Sequence, residues 1–81
     1  MKIKVLLFAQ LKEAYGCDQF SVEIPFGTKI ADAVGIVLGD STLIPFKRLP
    51  LRYAVNEEFK AAETVLKDND ELALLTPVAG G

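Results

Sequence analysis

Few residues in this chain could carry chemistry unaided. The 81 residues include no histidine, which removes the commonest general base and metal ligand together with any Ser–His or Cys–His nucleophile. One cysteine, Cys17, follows Gly16 in a turn-like stretch. No histidine or charge pattern beside it would lower a thiol pKa, so it reads as a partly exposed turn thiol rather than as the carrier of a reactive sulfur. It can form no internal disulfide, and the chain has no cysteine cluster for zinc or iron–sulfur. The carboxylates read as scattered over exposed positions, with Glu57, Glu58, Asp68 and Asp70 in turn-like sequence. The run "DND" at 68–70 matches the start of a calcium loop but lacks the following glycine and distant glutamate of that motif, so it reads as a turn. No metal site is expected. What remains is the last stretch, "LLTPVAGG", in which Gly80 and Gly81 bring a chain without Cβ atoms to an α-carboxylate. A frayed end is the alternative. Against it, Leu74, Leu75, Pro77 and Val78 lead into the glycines where a disposable tail would carry serine, lysine or glutamate.

Composition narrows the function classes. Nine basic and eleven acidic residues are interspersed for a net charge of -2, which is no nucleic-acid footprint. No stretch approaches the roughly 20 apolar residues of a membrane span, and "MKIKVLLFAQ" is too short and strand-like for a signal peptide. A reducing cytoplasm is the expected setting. Hydrophobic residues are 51% of the chain, more than so small a domain can hide, so apolar surface should be left for a partner. Lys47, Arg48 and Arg52 cluster around Leu49–Leu51. They read as a solvated loop face, with an anion or partner site as the alternative.

The elements that would position the glycine end follow from periodicity. Residues 2–8, "KIKVLLF", put Ile3, Val5 and Leu7 on one face and then turn apolar on both, as a strand entering the middle of a sheet does. "AQLKEAYG" predicts a short helix closed by Gly16. "FSVEIP" alternates as a half-buried strand, ended by Pro25 and Gly27. Thr28 is placed to cap a main helix whose Ile30, Val34, Val37 and Leu38 form one apolar stripe. Gly35 inside it points to a close approach to the sheet, and Gly39 with Asp40 ends it. Residues 40–50 read as loop, since Pro45 and Pro50 oppose regular structure. "RYAV" predicts a strand, Asn56-Glu57 a turn, and Glu58–Lys60 a short returning arm. "KDNDE" is a second turn, and "ELALLT", residues 71–76, is an apolar last strand. Apolar strands at both ends, with an alternating strand and a helix between, predict an α+β domain over residues 1–76. Its first and last strands lie in the middle of a mixed sheet covered on one face by the helix, the order of a β-grasp, or ubiquitin-like, fold. Residues 77–81 are then an extended tail, reaching roughly 20 Å from Thr76.

The segments "VLLFAQLKE", "AVNEE" and "LKDNDELALLTPVAGG" resemble the small, sulfur-carrying subunit of molybdopterin synthase. Members of that family commonly read "DGDE" and two prolines before the valine, where this chain has Asn69 and Thr76. The resemblance implies that the chain binds no cofactor and is not itself an enzyme. An ATP-dependent adenylating enzyme activates Gly81 as a mixed anhydride with AMP. Sulfur from a persulfide enzyme displaces the AMP, leaving a C-terminal thiocarboxylate. The tail, Pro77, Val78, Ala79 and Gly80, threads into the active site of a large catalytic subunit, in a heterotetramer with two of each. There sulfur passes to a cyclic pyranopterin, and two carriers are consumed per dithiolene formed. The resemblance further implies a hydrophobic contact with the large subunit through Phe8, Phe59 and Leu75. For Phe8 and Leu75, core packing is the equal alternative; Phe59, in a polar stretch, favours the interface. Sulfur carriers for thiamine thiazole synthesis share the fold and the Gly-Gly end but are usually shorter and lack the "FAQ" start. A ubiquitin-like modifier, joined through Gly81 to lysines, is the rival of another class.

Overall fold

The alternation of the first strand and the continuous apolar run of the last are both realised in a computed structural model that describes residues 1–76. Strand β1 (Lys2–Leu7) leads into helix α1 (Ala9–Tyr15), strand β2 (Gln19–Glu23), helix α2 (Ile30–Val37), a 3-10 helix (Ile44–Arg48), and strands β3 (Arg52–Val55), β4 (Glu58–Phe59) and β5 (Glu71–Leu75). The sheet order is β2-β1-β5-β3-β4. β1 and β5 run parallel at its centre, with Val5 opposite Leu72 and Leu7 opposite Leu74. The outer pairings are antiparallel: β1 with β2, β5 with β3, and β3 with β4. The fold is the expected β-grasp.

One face of the sheet carries the core. Ile3, Val5, Leu7, Leu72 and Leu74 are fully buried there, together with Leu11 of α1, Ile30, Ala33, Val34 and Val37 of α2, and Leu43 and Leu66 from the connections. The stripe read from the α2 sequence is thus the buried face. Three local expectations are corrected. Thr28 does not cap α2: its hydroxyl donates to the Pro25 carbonyl at 2.6 Å, and the N-cap is Lys29 with no side-chain bond. The exposed helix amides are satisfied from far along the chain, where Ile30 N–H donates to the Thr64 carbonyl and Ala31 N–H to that of Ala62. Gly35 is not tightly approached, since a Cβ there would meet nothing within 4 Å; the crowded glycine is Gly39, whose Cβ would lie 3.2 Å from the Ile36 carbonyl oxygen. Residues 44–48 form a 3-10 helix despite Pro45, which sits in the first turn, where its missing N–H costs nothing.

The turns read from sequence are joined to each other. Asn56, with φ +50°, donates from Nδ2 to Asp70 Oδ1 at 3.0 Å and accepts the Glu71 N–H on Oδ1 at 3.0 Å. Asp70 also accepts from the Lys67 N–H at 2.7 Å and is largely buried, against the expectation that the carboxylates lie exposed. Asp68 accepts the Lys2 N–H at 2.8 Å. Asn69 has φ +69°, the left-handed region that glycine enters freely and asparagine more readily than most residues. Asn69 therefore occupies a turn position that a glycine would also suit. Asp68 and Asp70, read from sequence as turn residues, act with Asn56 as joints between β1, β3 and β5.

Candidate functional site

Among the described residues no helix lies over the second face of the sheet. On β5, Glu71, Ala73 and Leu75 alternate with the buried Leu72 and Leu74 and are only partly buried. On β1, Lys4 and Leu6 do the same. Register assembles these positions into rows. Leu6 lies beside Ala73, Ala73 beside Ala54, and Ala54 beside Phe59. In the next row Leu75 lies beside Arg52. Phe8, just past β1 in extended backbone (φ −130°, ψ 157°), continues the alternation onto this face beside Leu75. Phe8 is 45% exposed and Phe59 60% exposed.

Phe8, Phe59 and Leu75 therefore share one face, at the end of the sheet where β5 gives way to Thr76. Neither Phe8 nor Leu75 belongs to the core, so the core-packing alternative falls for both. Ala9 holds φ +49°, an uncommon conformation for a residue with a Cβ, and it turns the chain sharply from the end of β1 into α1, directly behind Phe8. Pro77, Val78, Ala79, Gly80 and Gly81 lie outside the described residues.

The rim of this face is polar. Lys4 pairs with Glu71 on this face at 3.8 Å, whereas Glu58 and Lys60, which flank Phe59 and alternate away from this face, pair with each other at 3.3 Å. The Arg52 guanidinium stacks on the Phe59 ring, 4.2 Å from its centroid. Lys47, Arg48 and Arg52, which by sequence form one basic cluster on a solvated loop or at an anion or partner site, are separated: the 3-10 helix takes the first two while β3 carries Arg52 to the bare face. Its stacking was invisible in sequence because it depends on the β3–β4 register. Cys17 is exposed, as expected. Among the described residues no group of three or more histidine, cysteine or acidic side chains is placed to hold a metal ion, and no helix is long and apolar enough to cross a membrane.

Uncovered apolar patches of this kind commonly mark sites where proteins meet other molecules, and this one, edged by the Lys4–Glu71 pair, ends where β5 leads to the Gly-Gly segment. The ThiS family model matches residues 5–81. The chain belongs to the ThiS family. Among its relatives, the molybdopterin synthase sulfur carrier subunit of Haemophilus influenzae is 35% identical, the match covering 98% of this chain and 99% of that one. A chain in the complex of subunits 1 and 2 of molybdopterin-converting factor from Helicobacter pylori matches at 26% identity and a TM-score of 0.73, with all of both chains covered. The small archaeal modifier protein 1 of Methanosarcina acetivorans matches at 26% identity and a TM-score of 0.79, over 99% of this chain and 96% of that one. The ThiS-family fold thus accounts for the sheet order, and the complex from Helicobacter shows a relative assembled with a second subunit.

Proposed function

We propose that this ThiS-family chain is the sulfur carrier subunit of a molybdopterin synthase and works as a donor rather than a catalyst. The observation that carries the reading is the bare apolar face formed by Phe8, Leu75 and Phe59, which adjoins Thr76, the last residue before the glycine-ended segment. The full-length likeness to a named sulfur carrier subunit supports it. The face docks on a large subunit, and docking delivers residues Pro77–Gly81 to that subunit's active site. Four molecules assemble, two of each kind.

The chemistry required of Gly81 is simple. A carboxylate is a poor acyl donor because oxide is a poor leaving group, so an adenylating enzyme converts it with ATP to an acyl-AMP anhydride, releasing pyrophosphate. A persulfide sulfur from a donor enzyme attacks the acyl carbon and AMP departs. Reductive cleavage of the resulting acyl disulfide by a thiol leaves the thiocarboxylate. That sulfur is then transferred to a cyclic pyranopterin held by the large subunit, where the acid–base groups reside. Gly80 must be slender for passage, and Gly81 must be terminal for adenylation.

The test is mass spectrometry after incubation with ATP, the adenylating enzyme and the sulfur source. The wild-type chain gains one sulfur in place of one oxygen at Gly81. Deleting Gly81, adding a residue after it, or Gly80→Phe abolishes that change while leaving the melting temperature nearly unaltered. Sulfur transfer by an extended or truncated chain removes the reading. The likeness to a modifier protein supports a second reading, conjugation through Gly81. A ladder of lysine conjugates in cells, with no bound pterin-forming subunit, would favour it.

A further inference from the structure

Arg52 stands apart from the other charges on the bare face. The Lys4–Glu71 pair on this face and the Lys60–Glu58 pair on the opposite side of β4 both leave it out, and its guanidinium makes no side-chain hydrogen bond among the described residues. One side of its plane rests on Phe59. Stacking occupies the face of a guanidinium and leaves its five N–H donors, which lie in the plane, pointing outward in a fixed fork. Beside it opens a shallow cavity of about 340 Å³, lined by Leu51, Arg52, Tyr53, Phe59, Lys60 and Ala62. The lining has two cations and no acid.

We infer that Arg52 is a specificity-determining contact of this face and that the cavity takes an aspartate or glutamate side chain of the docking subunit, held bidentately by the guanidinium. The inference rests on the docking role proposed above and adds the chemistry of the partner. Its physical basis is desolvation. A partner that covers Leu75 and Phe59 must also cover Arg52, which is Leu75's neighbour across β3–β5 and Phe59's stacking partner. A guanidinium taken out of water without an acceptor is strongly unfavourable, whereas one paired in plane with a carboxylate is satisfied on two N–H groups at once. Phe59 supplies apolar contact and orients Arg52, so the pair reads an apolar surface with one embedded acid. Lys60 also lines the cavity, but its pairing with Glu58 leaves the fork of Arg52 as the group that meets the carboxylate.

The test measures affinity for the large subunit of the same organism's synthase over a series of salt concentrations, with wild type, Arg52→Gln, Arg52→Lys and Arg52→Glu. Thermal melts of each free variant check folding, which an exposed position should leave intact. The expected result is about a 10- to 100-fold loss for Arg52→Gln, a smaller but clear loss for Arg52→Lys because the planar fork is gone, and the largest loss for Arg52→Glu. The salt dependence of Arg52→Gln should be flatter than that of wild type. Changing the contacting acid of the large subunit to lysine should restore binding to Arg52→Glu. Wild-type binding with Arg52→Gln equal to it within threefold, or with an unchanged salt slope, overturns the inference and leaves the docking role standing. Failure of the wild-type chain itself to bind the large subunit overturns both.

Discussion

The two faces of the central strands are built from similar residues and have opposite fates. Ile3, Val5, Leu7, Leu72 and Leu74 are sealed under α2, while Leu6, Ala73, Leu75 and the neighbouring Phe8 and Phe59 stay open or half-open on the other side. Parallel strands are usually covered on both faces, because their connections place a layer on each. Among the described residues the β1–β5 pair has one layer, and under the docking role proposed above the large subunit would supply the other. Burial on one face supplies folding energy, whereas on the proposed docking role burial of the other would come only with assembly. A charge can be accommodated on the deferred face, as Arg52 is, provided that the partner answers it.

The contrast can be broken first at adjacent leucines of one strand. Leu74→Ala removes a fully buried side chain and should cost about 2–5 kcal/mol of stability. For a domain this size that lowers the melting temperature by roughly 10 °C or more. Leu75→Ala should cost less than about 1 kcal/mol. Equal losses in thermal melts would show that the second face is also packed in the free chain.

Association with the large subunit reads the deferred face. Phe59→Arg puts a charge where an apolar surface is expected and repels Arg52, so binding should weaken by about 2–4 kcal/mol with the free domain still folded. Titration calorimetry together with a melt separates the outcomes. An unfolded variant would assign Phe59 to folding, and unchanged affinity would remove it from the interface.

The smallest effect lies on neither face. Thr42 donates to the Asp40 carboxylate from its hydroxyl at 2.6 Å and its N–H at 2.9 Å, and these bonds hold the Asp40 pKa below the ordinary 3.8. Because the folded value is the lower one, this turn contributes stability above the unfolded pKa and loses it as pH falls through the folded pKa. A carbon-detected titration should place Asp40 below 3.8, and Thr42→Ala should move it upward. Full exposure keeps the effect on melting temperature small, and titration of Asp40 at or above the ordinary value would remove this account.

Legibility in sequence followed the range of the interactions. The Gly16 helix end, with φ +92° and its N–H donated to the Lys12 carbonyl at 2.9 Å, was readable because only neighbouring residues are involved. So were the Asn56-Glu57 turn and the α2 stripe. The capping of α2 was not, because its acceptors, Ala62 and Thr64, arrive from more than thirty residues downstream. The candidate site divided the same way. Phe59 stood out as an aromatic residue in a polar stretch, whereas Phe8 and Leu75 were undecided, since strands apolar at every position carry no period that tells one face from the other.

The sequence by itself determined the strands and the two α-helices though not the 3-10 helix, the central place of the two apolar strands, the lack of any histidine-based chemistry, and the glycine pair at Gly80 and Gly81. The tertiary structure decided which apolar face is covered, that Asp70 is a buried joint with Asn56, and that Arg52 leaves its basic neighbours to stack on Phe59. The physical reason is register. Each of these outcomes depends on which residues from separate strands and turns lie side by side, and strand pairing brings them together only when the whole sheet has formed.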